Sequence, residues 1–402
     1  MDAIGVLRLP QTISFGYGVR DSLTSVVRGY GTRAFVVVDP FLAGSEEFRS
    51  AMASFAAAGV ETLTHDSVEP ELPVGSLQDD AETARGFAPH AIVAWGGGSA
   101  IDAAKAIALL VAHGGALADY YGENQVPGPI LPLIVVPTTA GTGSEVTPVA
   151  VLTDAERELK VGISSPELVP AVAIVDPELT LGVPERVTAY SGIDALVHAI
   201  ESYTAGALGS GADALTPVFI GRNALTEPLS LEAARLIGSS IETAVAEPGN
   251  REAREAMARG SLLAGMAFGS TGTHLSHAIQ YPLGALTHTP HGLGTGLMLP
   301  YVLEACAAAV PQRLARIGEA LGVEATPEAA IERVVEILAG IGIPTSLAEI
   351  GVAENDIERI AELTLASARL TAIAPIPVDL DQITRILRAA YAGDRTLLRH
   401  QA

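Results

Sequence analysis

Two clusters of side chains in this chain have the types and spacing for chemistry beyond packing. In GIDALVHAIESY, Asp194 and His198 stand four residues apart in a helical pattern, so both lie on one helix face. A carboxylate oxygen and an imidazole nitrogen are both ligands for divalent first-row metals. Alone, such a pair would read as hydrogen-bonded core. The second cluster, THLSHAIQYPLGALTHTPHG, holds His274, His277, His288 and His291, four of the nine histidines in the chain. It lies among Leu, Ile, Ala and Gly, not on a charged face. Buried imidazoles without partners are costly, and a shared cation is their simplest common partner. Spacing alone leaves open which two of the four histidines join Asp194 and His198.

A second kind of site is written in the first half. Gly96 to Lys105 reads GGGSAIDAAK directly after the apolar run HAIVAW and opens a helical pattern. Successive glycines let a backbone turn tightly and approach a phosphate with no Cβ in the way. With Ser99 as N-cap, the first turn would present free N–H groups and the positive end of the helix dipole to an anion. The spacing is not G-x-G-x-x-G, so the usual dinucleotide fingerprint is absent. Asp39 ends an earlier strand-like run, where a carboxylate can accept from a ribose diol and repel a 2′-phosphate; before Pro40 it also suits a turn. A third segment, PTTAGTGSEVT from Pro137 to Thr147, is dense in hydroxyls and glycine at the end of another strand-like run.

These residues need elements to hold them. Arg33–Val38, His90–Trp95, Leu131–Val136 and Val172–Val175 read as strands, and Ser50–Ala58 and the run from Ser99 as helices. Strands alternating with helices and bounded by Pro, Asp and Gly predict a mostly parallel sheet with covered faces. After Pro184 the pattern becomes helical, with helices over Val187–Thr204, Ser230–Ala246, Arg251–Ala267, Thr326–Gly340 and Glu354–Leu370. The expectation is an α/β dinucleotide-binding domain over residues 1–184 and an all-helical metal-binding domain over residues 185–402. The one long irregular stretch runs from Ala205 to Pro228.

Composition narrows the function classes. A chain of 402 residues exceeds one ordinary compact domain. The formal charge of -22 argues against nucleic acid, whose phosphates need clustered Lys and Arg. The single cysteine, Cys306, excludes an intrachain disulfide framework or a thiolate cluster, and reads as a small buried residue. The N-terminal residues lack the basic and apolar regions of a signal peptide, and the longest apolar stretch, Ala91–Ala118, carries Asp102 and Lys105. The expected compartment is the cytoplasm.

Taken together, GGGSAIDAAK, PTTAGTGSEVTP, GIDALVHAIESY and the PLGA…TPHG block resemble the iron-containing, or group III, metal-dependent alcohol dehydrogenases, in that family's order and spacing. The resemblance implies a dehydroquinate synthase-like architecture with the active site in the cleft between two domains. It implies one divalent metal, Fe(II) or Zn(II), on Asp194, His198, His277 and His291. It also implies NAD(H) on Asp39, Gly97, Gly98, Ser99, Asp102, Thr138, Thr139, Thr142, Thr147 and Lys160, and a homodimer or larger homo-oligomer. The activity implied is interconversion of a small-molecule alcohol with its aldehyde or ketone by metal-assisted hydride transfer.

Two positions depart from the family's pattern. Where many members carry a histidine thought to relay the proton, just before the PLG block, this chain has Tyr281. A phenol can donate a hydrogen bond but is a poor relay at neutral pH. His274, His288 or water are the substitutes. The stretch Ala207–Asn223 looks longer than in compact members and is expected to be a surface insertion. Val149, beside the hydroxyl-rich segment, is small and apolar and suggests a roomy substrate pocket. Rival readings are a glycerol dehydrogenase-like polyol oxidation, a dehydroquinate synthase, which needs more basic groups, and a maleylacetate reductase, which usually lacks the metal. From another class, a non-catalytic NAD-binding scaffold would keep the fold and lose turnover.

Overall fold

The computed structural model of the chain describes residues 5–69, 72–154, 159–208 and 216–399. It falls into two compact units, Arg8–Val183 and Pro184–Ala402 with Met1–Leu7.

The first unit is built from β1 (Thr12–Phe15), α1 (Leu23–Tyr30), β2 (Arg33–Val38), α2 (Glu46–Ala57), β3 (Glu61–His65), α3 (Val74–Phe87), β4 (Ala91–Gly96), α4 (Gly98–His113), β5 (Gly122–Glu123), β6 (Leu133–Pro137), β7 (Val149–Asp154), β8 (Leu159–Ser164) and β9 (Val172–Val175). Six strands form a parallel sheet in the order β1-β9-β6-β4-β2-β3. Alternate residues of each central strand enter opposite cores. Phe35, Val37, Ile92, Ala94, Leu133 and Val135 pack with α3 and α4, while Val36, Val38, Val93, Trp95, Ile134 and Val136 pack with α1 and α2. Burial on both faces is why these strands read as unbroken apolar runs. The four expected strands are the four inner ones.

The sequence reading missed the edges β1 (TISF) and β3 (ETLTH), which are polar and partly exposed. It also missed the second sheet, β5-β8-β7, in which β7 and β8 are antiparallel. One local expectation is corrected. The N-cap of α4 is Gly97, with no side-chain cap, and Ser99 sits exposed in the first helical turn. The third glycine is already helical, so the helix starts two residues earlier than a Ser99 cap requires.

The second unit is helical: α5 (Glu185–Thr204), α6 (Glu227–Ala246), α7 (Arg251–Thr271), α8 (Leu275–Thr287), α9 (His291–Cys306), α10 (Pro311–Ala320), α11 (Pro327–Gly340), α12 (Ile357–Leu365), α13 (Ala368–Thr371) and α14 (Leu380–Ala392). Among the described residues it holds no strand beyond the isolated bridge between Ala207 and Gly221. The helix expected over 354–370 breaks at Ala366 and Ser367 into α12 and α13. Of the irregular stretch before α6, residues 209–215 lie outside the described residues, and so does that part of the expected insertion. Central to this unit is α5, packed by α6, α7 and α9 and buried on nearly every side after Thr188. A helix buried on all sides sits in the middle of a bundle, and the polar side chains that α5 buries there, Asp194, His198 and Glu201 among them, must find partners inside it.

Close approach of α9 to α5 depends on glycine. A Cβ at Gly292 would overlap the carbonyl oxygen of Tyr190, and one at Gly296 would lie 2.8 Å from Cγ1 of Ile193. The two helices therefore touch backbone to backbone at Gly292 and backbone to side chain at Gly296, and the first residue of α9, His291, is carried to the Asp194 level of α5.

Candidate functional site

Three helices of the second unit supply the metal-type side chains. Asp194 and His198 share a face of α5, His277 lies in the first turn of α8, and His291 opens α9. One ligand atom from each of Asp194, His277 and His291 falls within 4.8 Å of the others. Around the Asp194 carboxylate, Nε2 of His277 and of His291 each stand 3.7 Å from Oδ1, and Nε2 of His198 stands 3.8 Å from Oδ2. These separations are too long for hydrogen bonds. They match donors arranged about a shared cation, since ligands about 2 Å from a metal sit roughly 3–4 Å apart. Nε2 of His277 is buried with no hydrogen-bond partner, which is costly unless something else satisfies its lone pair. The donor set of three imidazoles and one carboxylate thus fits a divalent metal.

The protonation states agree with that fit. Burial pushes the His198 imidazole down to about 4, with His277 and His291 adding to the effect against Asp194 and Glu201, so the ring is neutral at pH 7. Metal ligation needs that neutral lone pair. Burial alone would raise the Asp194 carboxyl, but His198, His291, His277 and the Thr295 hydroxyl hold it below the ordinary carboxylate range.

Packing fixes the rings. His198 stacks on Phe268 at 4.1 Å and on His277 at 4.8 Å between centroids. The Thr295 hydroxyl, one turn along α9 from His291, donates to Oδ1 of Asp194 at 2.8 Å. Tyr281 lies beside the cluster, its ring 6.3 Å from that of His291. The two remaining histidines stand apart. His274 is fully buried, with Nε2 3.0 Å from Thr204 Oγ1 and Nδ1 3.4 Å from Glu201 Oε1. His288 is exposed in the left-handed C-cap of α8.

Sequence reasoning missed two residues here. Thr295 gave no signal. Glu201 did, because it continues the Asp194 and His198 face of α5 one turn on. It is fully buried, and three N–H groups surround its carboxylate: those of His274 and Ser276, and Nδ1 of His277. Burial works to raise it, yet His274, His277 and these hydrogen bonds hold it far below the ordinary carboxylate range.

The first unit assembles the phosphate-type residues at the carboxyl ends of β2, β4 and β6. The chain places β3 and β4 on opposite sides of β2, so the strand order reverses there, which is where open α/β sheets bind ligands. Asp39 N–H donates to Trp95 O at 3.0 Å, and Gly96 packs against the Asp39 side chain. Oδ1 of Asp39 accepts from Phe41 N–H at 3.0 Å, so the residue does make the turn before it can serve a ribose. The hydroxyl-rich segment lies over the glycines: a Cβ at Gly97 would be 3.3 Å from Thr139 Oγ1, and one at Gly98 would be 2.7 Å from Thr142 Cγ2. Thr138 N–H donates to Gly96 O.

Asp102 and Thr147 turn inward. One Asp102 oxygen accepts from Ser144 Oγ and the other from Val151 N–H. Lys105, to which sequence reasoning gave no role, is fully buried. Its Nζ donates to Ser144 Oγ, Thr147 O and Val149 O within 2.9 Å, with Thr147 Oγ1 at 3.4 Å. Burial lowers this amine to about 8 against the pull of Asp102 and Glu145. The ammonium ties α4 to the segment that covers its own N-terminus. Val149 and Lys160 lie on the antiparallel pair β7 and β8.

Comparison with known proteins gives matches over both units. The family described as iron-containing alcohol dehydrogenase matches residues 10–177, and the C-terminal part described as Fe-containing alcohol dehydrogenase family matches residues 188–391. Sulfoacetaldehyde reductase of Bilophila wadsworthia is 34% identical over 348 residues, 84% of this chain and 86% of that protein. NAD-dependent methanol dehydrogenase of Bacillus methanolicus is 35% identical over 357 residues, 87% of this chain and 90% of that protein. Among solved structures, a 1,3-propanediol oxidoreductase superposes with a TM-score of 0.90 at 32% identity, covering 96% of this chain and all of that one.

Proposed function

The chain belongs to the iron-containing alcohol dehydrogenase family, and on that premise we propose that it interconverts a small alcohol with its aldehyde or ketone using NAD(H). The metal ligands in this reading are Asp194, His198, His277 and His291. The observation that carries it is the set of three imidazole nitrogens spaced 3.7–3.8 Å around one buried carboxylate, with Nε2 of His277 unpartnered. A divalent cation there, Fe(II) first and Zn(II) second, supplies a Lewis acid for the substrate oxygen when bound, and the dinucleotide supplies or accepts the hydride.

The chain's own residues do the rest. Gly97, Gly98 and Ser99 present a helix N-terminus without bulk, suited to a pyrophosphate, with Thr138, Thr139 and Thr142 around it. Asp39 keeps one carboxylate oxygen outside its own turn and favours a ribose diol over a 2′-phosphate. Asp102, Thr147 and Lys105 shape this loop from beneath, which supports an indirect role for the first two. For Val149 the support is its place at the start of β7 directly after the loop, and for Lys160 its pairing with Thr153 across β7 and β8. Tyr281 orients substrate by hydrogen bonding, and protons exchange with solvent water, which reaches the cluster at His291, 35% exposed in its side chain. His274, boxed by Thr204 and Glu201, and His288, capping α8, take no part.

A homodimer or larger homo-oligomer in the cytoplasm completes the reading, consistent with described residues in which no helix is long and apolar enough to cross a membrane. Light scattering tests the assembly. The function is tested by an NADH-oxidation screen over C2–C8 aldehydes, α-hydroxyaldehydes and charged aldehydes, with Fe(II) or Zn(II) restored separately to chelated enzyme. Chelation should abolish turnover and weaken NADH binding far less. Full activity in protein shown to hold no divalent metal would end the reading.

A further inference from the structure

Glu201 is the buried charged group closest to the ligand set that the reaction itself does not require. On α5, Asp194, His198 and Glu201 follow at intervals of four and three, so their side chains lie on one face. Its oxygens receive two backbone donors from the start of α8: His274 N–H at 2.9 Å on Oε2 and Ser276 N–H at 2.6 Å on Oε1. Backbone N–H groups only donate, so they fix this side chain as an acceptor and seat it against the positive end of the helix. Nδ1 of His277 meets the same Oε2 at 2.8 Å. A neutral imidazole has one proton, and an acceptor at Nδ1 draws it there. The lone pair is then on Nε2, the atom that faces Asp194 and has no hydrogen-bond partner.

We infer that Glu201 is a positioning residue that holds His277 in its Nδ1–H tautomer and so keeps Nε2 free to ligate the cation. The inference rests on the metal reading above for its consequence, though not for the tautomer. An outer carboxylate of this kind orients the ring and raises its basicity, and losing one typically costs 10–100-fold in metal affinity. Besides capping α8, Glu201 thus links the α8 entry to the ligand geometry: one carboxylate sets both where the helix starts and which nitrogen of its third residue is bare.

The test uses the full-length protein, freed of metal and labelled with 15N-histidine, with the His277 signals identified by their loss in His277→Asn. In wild type the spectrum should show His277 protonated at Nδ1 and bare at Nε2. Glu201→Gln keeps the size but turns an amide NH2 toward one of the three donors, so the tautomer should become mixed. Its Co(II) affinity, read from the visible absorption of the bound ion, should fall by about 10–100-fold. An Nε2–H tautomer in wild type overturns the inference, as does a Glu201→Gln protein that binds Co(II) within twofold of wild type. If the variant does not fold, the wild-type spectrum still decides. A wild-type protein that takes up no Co(II), Zn(II) or Fe(II) overturns the metal reading and the affinity consequence, and the same spectra tell that failure from a wrong tautomer.

Discussion

At Tyr281 a phenol ring stands 6.3 Å from the His291 ring. Removing only its hydroxyl, in Tyr281→Phe, keeps the packing and should lower turnover by less than about tenfold, below the roughly 10²–10⁴-fold that general acid–base catalysis supplies. A thousandfold loss with metal content and NADH affinity unchanged would make the hydroxyl catalytic. In the function proposed above, Asp39 is the residue that sets cofactor choice. One of its oxygens is held by Phe41 N–H, which fixes the carboxylate at the end of β2 beside Gly96. Asp39→Gly should narrow the preference for NAD(H) by relaxing the penalty on NADP(H), seen mainly in the Michaelis constant for cofactor. If wild type already prefers NADPH, Asp39 serves only its turn.

Among the elements, α9 carries the site's geometry because it delivers both His291 and Thr295 to Asp194. That delivery depends on a bare Cα at Gly292 against the Tyr190 carbonyl. The obstacle to any side chain there is backbone, which cannot rotate away. Gly292→Ala should therefore push α9 from α5, lower stability by about 1–3 kcal/mol, and cut metal content per chain. Calorimetry and metal analysis on one preparation check both. A variant that keeps full metal loading would show that the helices have slack. In the first unit the comparable element is the Ser144–Val149 segment, held on α4 by the four contacts of the Lys105 ammonium.

That buried lysine and its neighbour Glu145 have a consequence for the stability of the molecule. Burial raises the Glu145 carboxyl from 4.5 to about 7. Between those values the folded state holds more protons than the unfolded, so stability falls as pH rises across the window and stays lost above it. Lys105, lowered from 10.5 to about 8, behaves in the opposite sense: above pH 8 the unfolded state holds more protons and stability recovers with pH. The pair should thus give the α/β unit a stability minimum between about pH 7 and pH 8. Glu145→Gln should flatten the acid side of that minimum and stabilise the unit at pH 7.5 by on the order of 1–3 kcal/mol. Trp95, the chain's sole tryptophan and buried in this unit, reports it directly by fluorescence. An unchanged pH profile would show that Glu145 finds solvent.

The sequence by itself determined the inner sheet, the switch to helices after Pro184 and the residue types of both sites. Central parallel strands are apolar on both faces and so are written as continuous runs; β1 and β3, half exposed and polar, carry no such signal. It also put Asp194 and His198 on one helix face, because that follows from the helical period alone. Which two of four histidines face them did not follow from spacing. His274 and His277 are three residues apart, yet one is shut against Thr204 while the other turns toward Asp194. That choice depends on where α8 begins and on how closely α9 meets α5, contacts between segments 73 to 101 residues apart along the chain. The roles of Glu201, Thr295 and Lys105 were decided in the same way. Their types are ordinary in sequence, and only tertiary packing surrounds each one with the partners that give it a function.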